Sequence, residues 1–95
     1  MIAVFAKCRV QTGKAEEFLK LAHSLADESR RENANLSYDI LKESAKDSQE
    51  FFFLEKWQDK KGLDSHMQMP YFTDTISAVE KIIEEKLEIH VFENI

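Results

Sequence analysis

Phe51-Phe52-Phe53-Leu54-Glu55-Lys56-Trp57 is the most strand-like stretch of the chain. Aromatic side chains favour extended backbone because they pack well on a pleated surface. Successive side chains of a strand point to opposite faces. Phe51, Phe53, Glu55 and Trp57 therefore share one face, and Phe52, Leu54 and Lys56 share the other. Both faces are apolar enough to need cover, and one of them holds a carboxylate among three aromatic rings.

Upstream, Leu36-Ser37-Tyr38-Asp39-Ile40-Leu41 alternates in the same way, followed by Lys42 to Glu50, polar apart from Ala45. Two alternating runs joined by a polar segment predict a long hairpin with a solvated tip. Downstream, Asp59 is placed to cap a short helix carrying Leu63, His66 and Met67. Pro70 suits the first turn of another helix, with Phe72, Ile76, Val79 and Ile83 inward. Leu87, Ile89 and Val91 then alternate with Glu88, His90 and Phe92 in a final strand.

The beginning of the chain supplies the other two elements. Ile2, Val4, Ala6, Cys8 and Val10 fall on one face of a strand, opposite Ala3, Phe5, Lys7 and Arg9. Gln11-Thr12-Gly13 reads as a turn, with Thr12 or Gly13 as helix N-cap and Glu16 favourably placed against the helix dipole. Ala15, Phe18, Leu19, Ala22, Leu25, Ala26 and Ser29 recur at spacings of three and four, the pattern of an amphipathic helix of about 18 residues. Asn33 or Asn35 is the expected C-terminal cap. The order β-α-β-β-α-β predicts an α+β fold, a ferredoxin-like sandwich with an antiparallel sheet and helices on one face. Apolar residues on both strand faces predict that the open face is covered too, most simply by a second copy in a homodimer formed through the sheet face.

With 95 residues, the chain has room for one domain, residues 1–95. A hydrophobic fraction of 43%, with only 2 Gly and 1 Pro, excludes a disordered or low-complexity tail. The 13 basic and 18 acidic residues are interspersed and sum to −5, so no basic stripe suggests nucleic acid as a partner. No uncharged run, Met1 to Ala6 at the start of the chain included, is long enough for a transmembrane helix or signal peptide, so no membrane association is expected. One cysteine cannot form an internal disulfide or a cysteine metal cluster, and the cytoplasm is the expected compartment.

Several spaced segments resemble the antibiotic biosynthesis monooxygenase (ABM) family over essentially the whole chain. Ile2-Ala3-Val4-Phe5-Ala6 leads to Thr12-Gly13-Lys14-Ala15-Glu16-Glu17-Phe18, similar to the family's strand, Pro-Gly-Lys turn and helix, with Thr12 where proline is usual. Asn35-Leu36-Ser37-Tyr38-Asp39 resembles the start of the family's second strand. Phe53-Leu54-Glu55-Lys56-Trp57, His66 and Pro70-Tyr71-Phe72 together look like its most recognisable signature. The resemblance implies a dimeric α+β barrel with a pocket between sheet and helices in each subunit. It further implies oxygenation of electron-rich aromatic polyketides or hydroquinones without metal, flavin or haem; relatives degrade haem or isomerise a phosphorylated signalling sugar. In the haem-degrading branch Trp57 matches, but Cys8 stands near an expected Asn and Ile76 where the axial His belongs. Without that ligand haem has no proximal anchor, which disfavours haem degradation; the resemblance to the cofactor-free members implies that no cofactor is needed.

Glu55 is the anomalous residue of its aromatic face. Burial would raise its pKa and poise it as a base or as the group that orients one; the alternative is an ion pair with a nearby Lys or Arg. Trp57 fits core or ligand platform, and its indole N–H needs an acceptor. His66 is matched to proton transfer near neutral pH, or else hydrogen-bonds the helix–strand junction. As catalytic base with Glu55, it would deprotonate a small aromatic substrate whose anion then reduces O2. Tyr38, Phe53, Phe72, Met67 and Met69 are candidate pocket walls, with core roles as the alternative. Cys8 reads as a small apolar strand residue. His23 and His90 lie far from His66 in sequence, and no ligand spacing suggests a metal.

Two other functions share this fold. The same proton-transfer groups could isomerise a small hydroxy-ketone, although the net charge and the lack of an Arg/Lys clamp count against a phosphorylated substrate unless a bulge turns Lys56 inward. Alternatively the protein is a non-enzymatic dimeric module that binds an aromatic metabolite.

Overall fold

A computed structural model describes residues 1–45 and 47–95; Lys46, in the predicted hairpin tip, lies outside the described residues. The elements are β1 (Ile2–Arg9), α1 (Ala15–Arg30), β2 (Asn35–Lys42), β3 (Glu50–Trp57), α2 (Lys60–Met67), α3 (Pro70–Glu80) and β4 (Glu88–Glu93). The strands form one antiparallel sheet in the order β2-β3-β1-β4. This is the expected ferredoxin-like α+β sandwich, with its second helical segment divided. Met69 adopts an extended conformation (φ −66°, ψ 135°), because a residue preceding proline is driven out of the helical region. Gln68, the C-cap of α2, and Met69 together separate α2 from α3.

Register fixes which side chains meet. Ile2 pairs with Trp57 and Cys8 with Phe51 between β1 and β3; Tyr38 pairs with Glu55 and Ile40 with Phe53 between β2 and β3. Directly opposed residues share a face. The helix-facing side thus carries Ile2, Val4, Ala6, Cys8, Tyr38, Phe51, Phe53, Glu55 and Trp57, all buried. Against it α1 buries Phe18, Ala22, Leu25, Ala26 and Ser29. The Phe18 ring lies 4.9 Å from Phe51 and 5.9 Å from Phe53, centroid to centroid. Burial of a ring of this size contributes about 1.5–3 kcal/mol.

Both ends of α1 differ from expectation. Its N-cap is Lys14, without a side-chain cap, and Gly13 takes the left-handed φ of +83° that the turn requires. The Thr12 hydroxyl is engaged elsewhere, accepting from Gln49 Nε2 at 2.8 Å. At the other end α1 stops at Arg30, and no non-glycine residue has positive φ among the described residues. Asn33 and Asn35 are therefore not left-handed caps. Asn35 opens β2, where its side-chain amide donates to the carbonyls of Ser37 and Lys56. Ile83 lies beyond α3 and bridges to Val10 instead of continuing the helix.

Ile89 and Val91 share a face, as the alternation predicts, and the register with β1 makes it the helix-facing side, opposite Ala6 and Val4. They are nevertheless 56% exposed, because β4 is an edge strand beyond the cover of the helices. The opposite, open face carries Phe5 stacked on Phe52 at 5.1 Å, with Leu54 beside them and Leu41 and Phe92 toward the edges. Among the described residues, no helix is long and apolar enough to cross a membrane.

Candidate active site

A cavity of about 50 Å³ lies between the helix-facing side of the sheet and α2–α3. Its floor comes from Val4, Ala6, Tyr38, Phe53 and Glu55, and its roof from Leu63, His66, Met67, Phe72 and Ile76. Leu87, Ile89 and Val91 form the rim on the side where β4 is uncovered. Glu55 and His66 are the two ionisable acid–base side chains of ordinary biological pH in this otherwise apolar enclosure. This volume accommodates roughly three or four waters.

His66 sits in the last turn of α2. Asp59 fixes the start of that helix by accepting from the Gly62 backbone N–H at 2.8 Å. Gly62 also lets α2 settle on the turn that follows α1, since a Cβ there would collide with the Ala34 side chain. This docking brings His66 Nδ1 within 2.7 Å of Glu32 Oε2 and 3.1 Å of the Tyr71 hydroxyl. Tyr71 donates to the same carboxylate oxygen and lies 3.3 Å from Ser29 Oγ. A carboxylate only accepts, so Glu32 assigns the proton to Nδ1 and leaves the lone pair on Nε2. That nitrogen is buried with no hydrogen-bond partner among the described residues. The ring is 1% exposed and packed by Trp57 at 4.4 Å and Phe72 at 4.7 Å. Burial depresses the His66 pKa, opposed by Glu32, so the imidazole is held as the neutral base.

Glu55 is buried beneath the cavity at 6% exposure. Its Oε1 accepts from Trp57 Nε1 at 2.9 Å, and the Tyr38 hydroxyl is a second donor near the same carboxyl group. Desolvation raises its pKa to about 7, against the opposing effect of those two donors. It forms no salt bridge with Lys, Arg or His among the described residues. Within the single chain the ion-pair alternative for Glu55 finds no partner among the described residues, and the acceptor that the Trp57 indole needs is Glu55 itself.

The structure brings Glu55, His66, Tyr38, Phe53, Phe72 and Met67 to one cavity. Trp57 stands behind the wall, fully buried between Glu55 and His66, and supports both without lining the space. Met69 lies outside, beside Arg31 and Gln58 in a surface groove. Glu55 is not the group that orients His66; Glu32 is. Lys56 points to the open face, because the register shift lies in β2 between Asn35 and Ser37 and leaves β3 straight. No Lys or Arg is among the described residues that line the cavity. Cys8 is a buried strand residue whose thiol pKa is pushed up to about 12 by burial. No cluster of three or more His, Cys, Asp or Glu side chains suited to a metal occurs among the described residues.

Sequence reading missed Glu32 and Tyr71 as site residues. Tyr71 lies within the Pro70-Tyr71-Phe72 segment, so its position was visible although its role was not. Glu32 belongs to a polar turn and carries no local signal.

The family profile described as antibiotic biosynthesis monooxygenase matches residues 1–78. The chain is 32% identical over 89 residues to a Bacillus subtilis (strain 168) protein named Putative monooxygenase YcnE, covering 94% of this chain and 93% of that one. It is 30% identical over 91 residues to an uncharacterised protein of Synechocystis sp., covering 96% of this chain but spanning only 61% of that relative's length. A crystal structure of a conserved protein from Methanosarcina mazei Go1 superposes with a TM-score of 0.91 at 27% identity, covering 96% of this chain and 89% of the other. The chain belongs to the antibiotic biosynthesis monooxygenase family.

Proposed function

We propose that this protein is a monooxygenase that needs no cofactor and oxidises a hydroquinone-like or polyphenolic aromatic with O2. The observation that carries this reading is His66: a buried neutral imidazole, held through Nδ1 by Glu32, whose Nε2 lacks a partner in the wall of an apolar cavity. A phenolic hydroxyl supplies the missing partner, and Nε2 takes its proton. The anion passes an electron to O2, and recombination forms a C–O bond to a ring carbon. Cleavage of the O–O bond leaves one oxygen atom on the ring and releases the other as water.

The electrons balance without an external reductant. Hydroquinone and O2 give a hydroxyquinone and water. Two of the four electrons taken by O2 come from C–H oxidation and two from conversion of the diol to the quinone. Family membership supports the reaction class. The cavity's small size favours one aromatic ring over a fused polycycle, because even one ring has to displace the rim formed by Met67, Leu87, Ile89 and Val91. Tyr38, Phe53, Phe72 and Met67 form its walls, with Trp57 behind them.

The same reading has the protein acting in the cytoplasm as a homodimer joined through the open sheet face. The exposed aromatic surface of that face supports the dimer, and the single buried cysteine fits a reducing compartment. The decisive experiment follows O2 consumption by chelator-treated protein across a panel of hydroquinones, with His66→Ala alongside. The expected result is catalysed uptake that the substitution abolishes. Absence of uptake with every compound, or undiminished uptake by His66→Ala, overturns the reading.

A further inference from the structure

We infer that Glu55 is the proton donor of this site: its carboxylic acid protonates the oxygen that leaves as water, and so decides whether O2 is incorporated or escapes as hydrogen peroxide. This rests on the oxygenase reading above and adds to it a second catalytic residue with a distinct product signature.

The geometry gives the two ionisable groups separate stations. His66 hangs from α2 in the roof of the cavity, whereas Glu55 rises from β3 in its floor. A ring held between them is deprotonated from one side and meets a carboxyl group on the other. Glu55 has no counter-charge among the described residues, its hydrogen bond comes from the neutral Trp57 indole, and the other donor near it is the neutral Tyr38 hydroxyl. Two neutral donors do not replace the hydration of a buried carboxylate, so the neutral acid is the form this environment favours. Trp57 Nε1 occupies Oε1 as an acceptor at 2.9 Å, which leaves Oε2 to carry the proton. The direction of the Glu55 shift, upward through burial, agrees with that assignment. When two neighbouring groups are pushed toward opposite protonation states, one serves as acid and the other as base.

The reaction requires such an acid. After the C–O bond forms, the ring bears a hydroperoxide, and breaking its O–O bond expels hydroxide unless a proton arrives. Proton transfer from Glu55 Oε2 converts that leaving group into water. The proton that His66 took from the phenol turns the first-formed peroxide anion into the hydroperoxide, and the ring C–H proton, released as that bond's electrons form the new C=O, returns to Glu55, so no proton is gained or lost over the cycle. Without the acid, reduced oxygen leaves after accepting two electrons. Hydroquinone and O2 then give the unhydroxylated quinone and H2O2, which also balances.

Glu55→Gln tests this, because the amide preserves volume and an acceptor for Trp57 but cannot supply the acid proton. The measurement is hydroxylated product and H2O2 formed per O2 consumed, for wild type and variant. The expected result is that hydroxylated product per O2 falls by about tenfold or more, the scale of losing a general acid, while H2O2 rises to match. A variant that incorporates oxygen with the wild-type yield and no extra H2O2 overturns the assignment while leaving the oxygenase reading intact. Wild-type protein that consumes no O2 overturns both. Infrared spectroscopy of wild-type protein with isotope-labelled glutamate provides a measurement independent of the variant's folding. A carboxylic-acid band that disappears as pH rises through about 7 is expected; a carboxylate already ionised well below that pH overturns the assignment.

Discussion

His66 Nδ1 stands 2.7 Å from Glu32 Oε2, joining the end of α2 to the turn after α1 across 34 residues of sequence. The carboxylate both selects the imidazole tautomer and opposes the effect of burial on its pKa. Glu32→Gln keeps an acceptor near Nδ1 but removes the charge. The His66 pKa then falls further, and the acidic limb of the profile of kcat/KM against pH moves to lower pH. Loss of the fixed carboxylate also lowers kcat about tenfold or more. Rates measured across pH check both effects, and a limb that stays in place or moves upward contradicts the role given to Glu32.

Glu55 links stability to pH with a sign that follows from its raised pKa. In the unfolded chain it titrates near the ordinary 4.5, and in the folded protein at about 7. Between those values the folded state binds the proton and the unfolded state does not, so this contribution is fully present below 4.5 and is lost as pH rises through 7. The loss is about 3 kcal/mol. Glu55→Gln removes this dependence, so the variant gains on wild type in denaturant melts as the pH is raised from 5 to 8. A constant difference between the two across that interval would falsify the burial of an uncompensated carboxyl group.

The fold was legible because period-two alternation needs only local sequence. Phe51 to Trp57 displayed its two faces directly, and Glu55 stood out on one of them as a carboxylate among rings. The cap of α1 was misread because the Thr12 hydroxyl is claimed by Gln49, a contact made only once the hairpin lies beside the first turn. The alternation put Ile89 and Val91 on one shared face, but which side of the sheet that is, and their exposure there, depend on the register with β1 and on where the helices end above the sheet. Glu32 was illegible for the same kind of reason. Nothing near Arg31-Glu32-Asn33 marks a functional carboxylate; its role arises when α2 docks, and that docking depends on a glycine in another element.

That glycine gives a sharp prediction. A Cβ at Gly62 meets the Ala34 side chain, so Gly62→Ala forces α2 away from the turn that carries Glu32. Overpacking of this kind costs about 1–3 kcal/mol. The displacement acts on the Glu32–His66 contact as well, so activity falls further than the loss of folded protein explains. Thermal melts and kcat measured well below the transition separate the two effects. Unchanged values for both show that the α2 junction yields at no cost.

The open sheet face supplies a prediction independent of the chemistry. Phe5 and Phe52 stack at 5.1 Å on neighbouring strands, and both are only half-buried in the single chain. Leu54 lies alongside, and Lys7 pairs with Glu50 at 2.7 Å, so an apolar centre adjoins charged groups. This is the pattern of an interface core with a polar rim. A second copy related by a two-fold axis would place one Phe5–Phe52 pair against the other. Phe52→Asp puts a charge at the centre of that contact without touching the helix-facing side of the sheet, because residue 52 and its neighbours 51 and 53 point to opposite faces. Sedimentation equilibrium is expected to give a dimer for wild type and a monomer for Phe52→Asp, with secondary structure retained. A wild-type monomer at micromolar concentration removes the dimer, and a dimeric variant relocates the interface to the other exposed apolar surface, the Ile89 and Val91 side of β4.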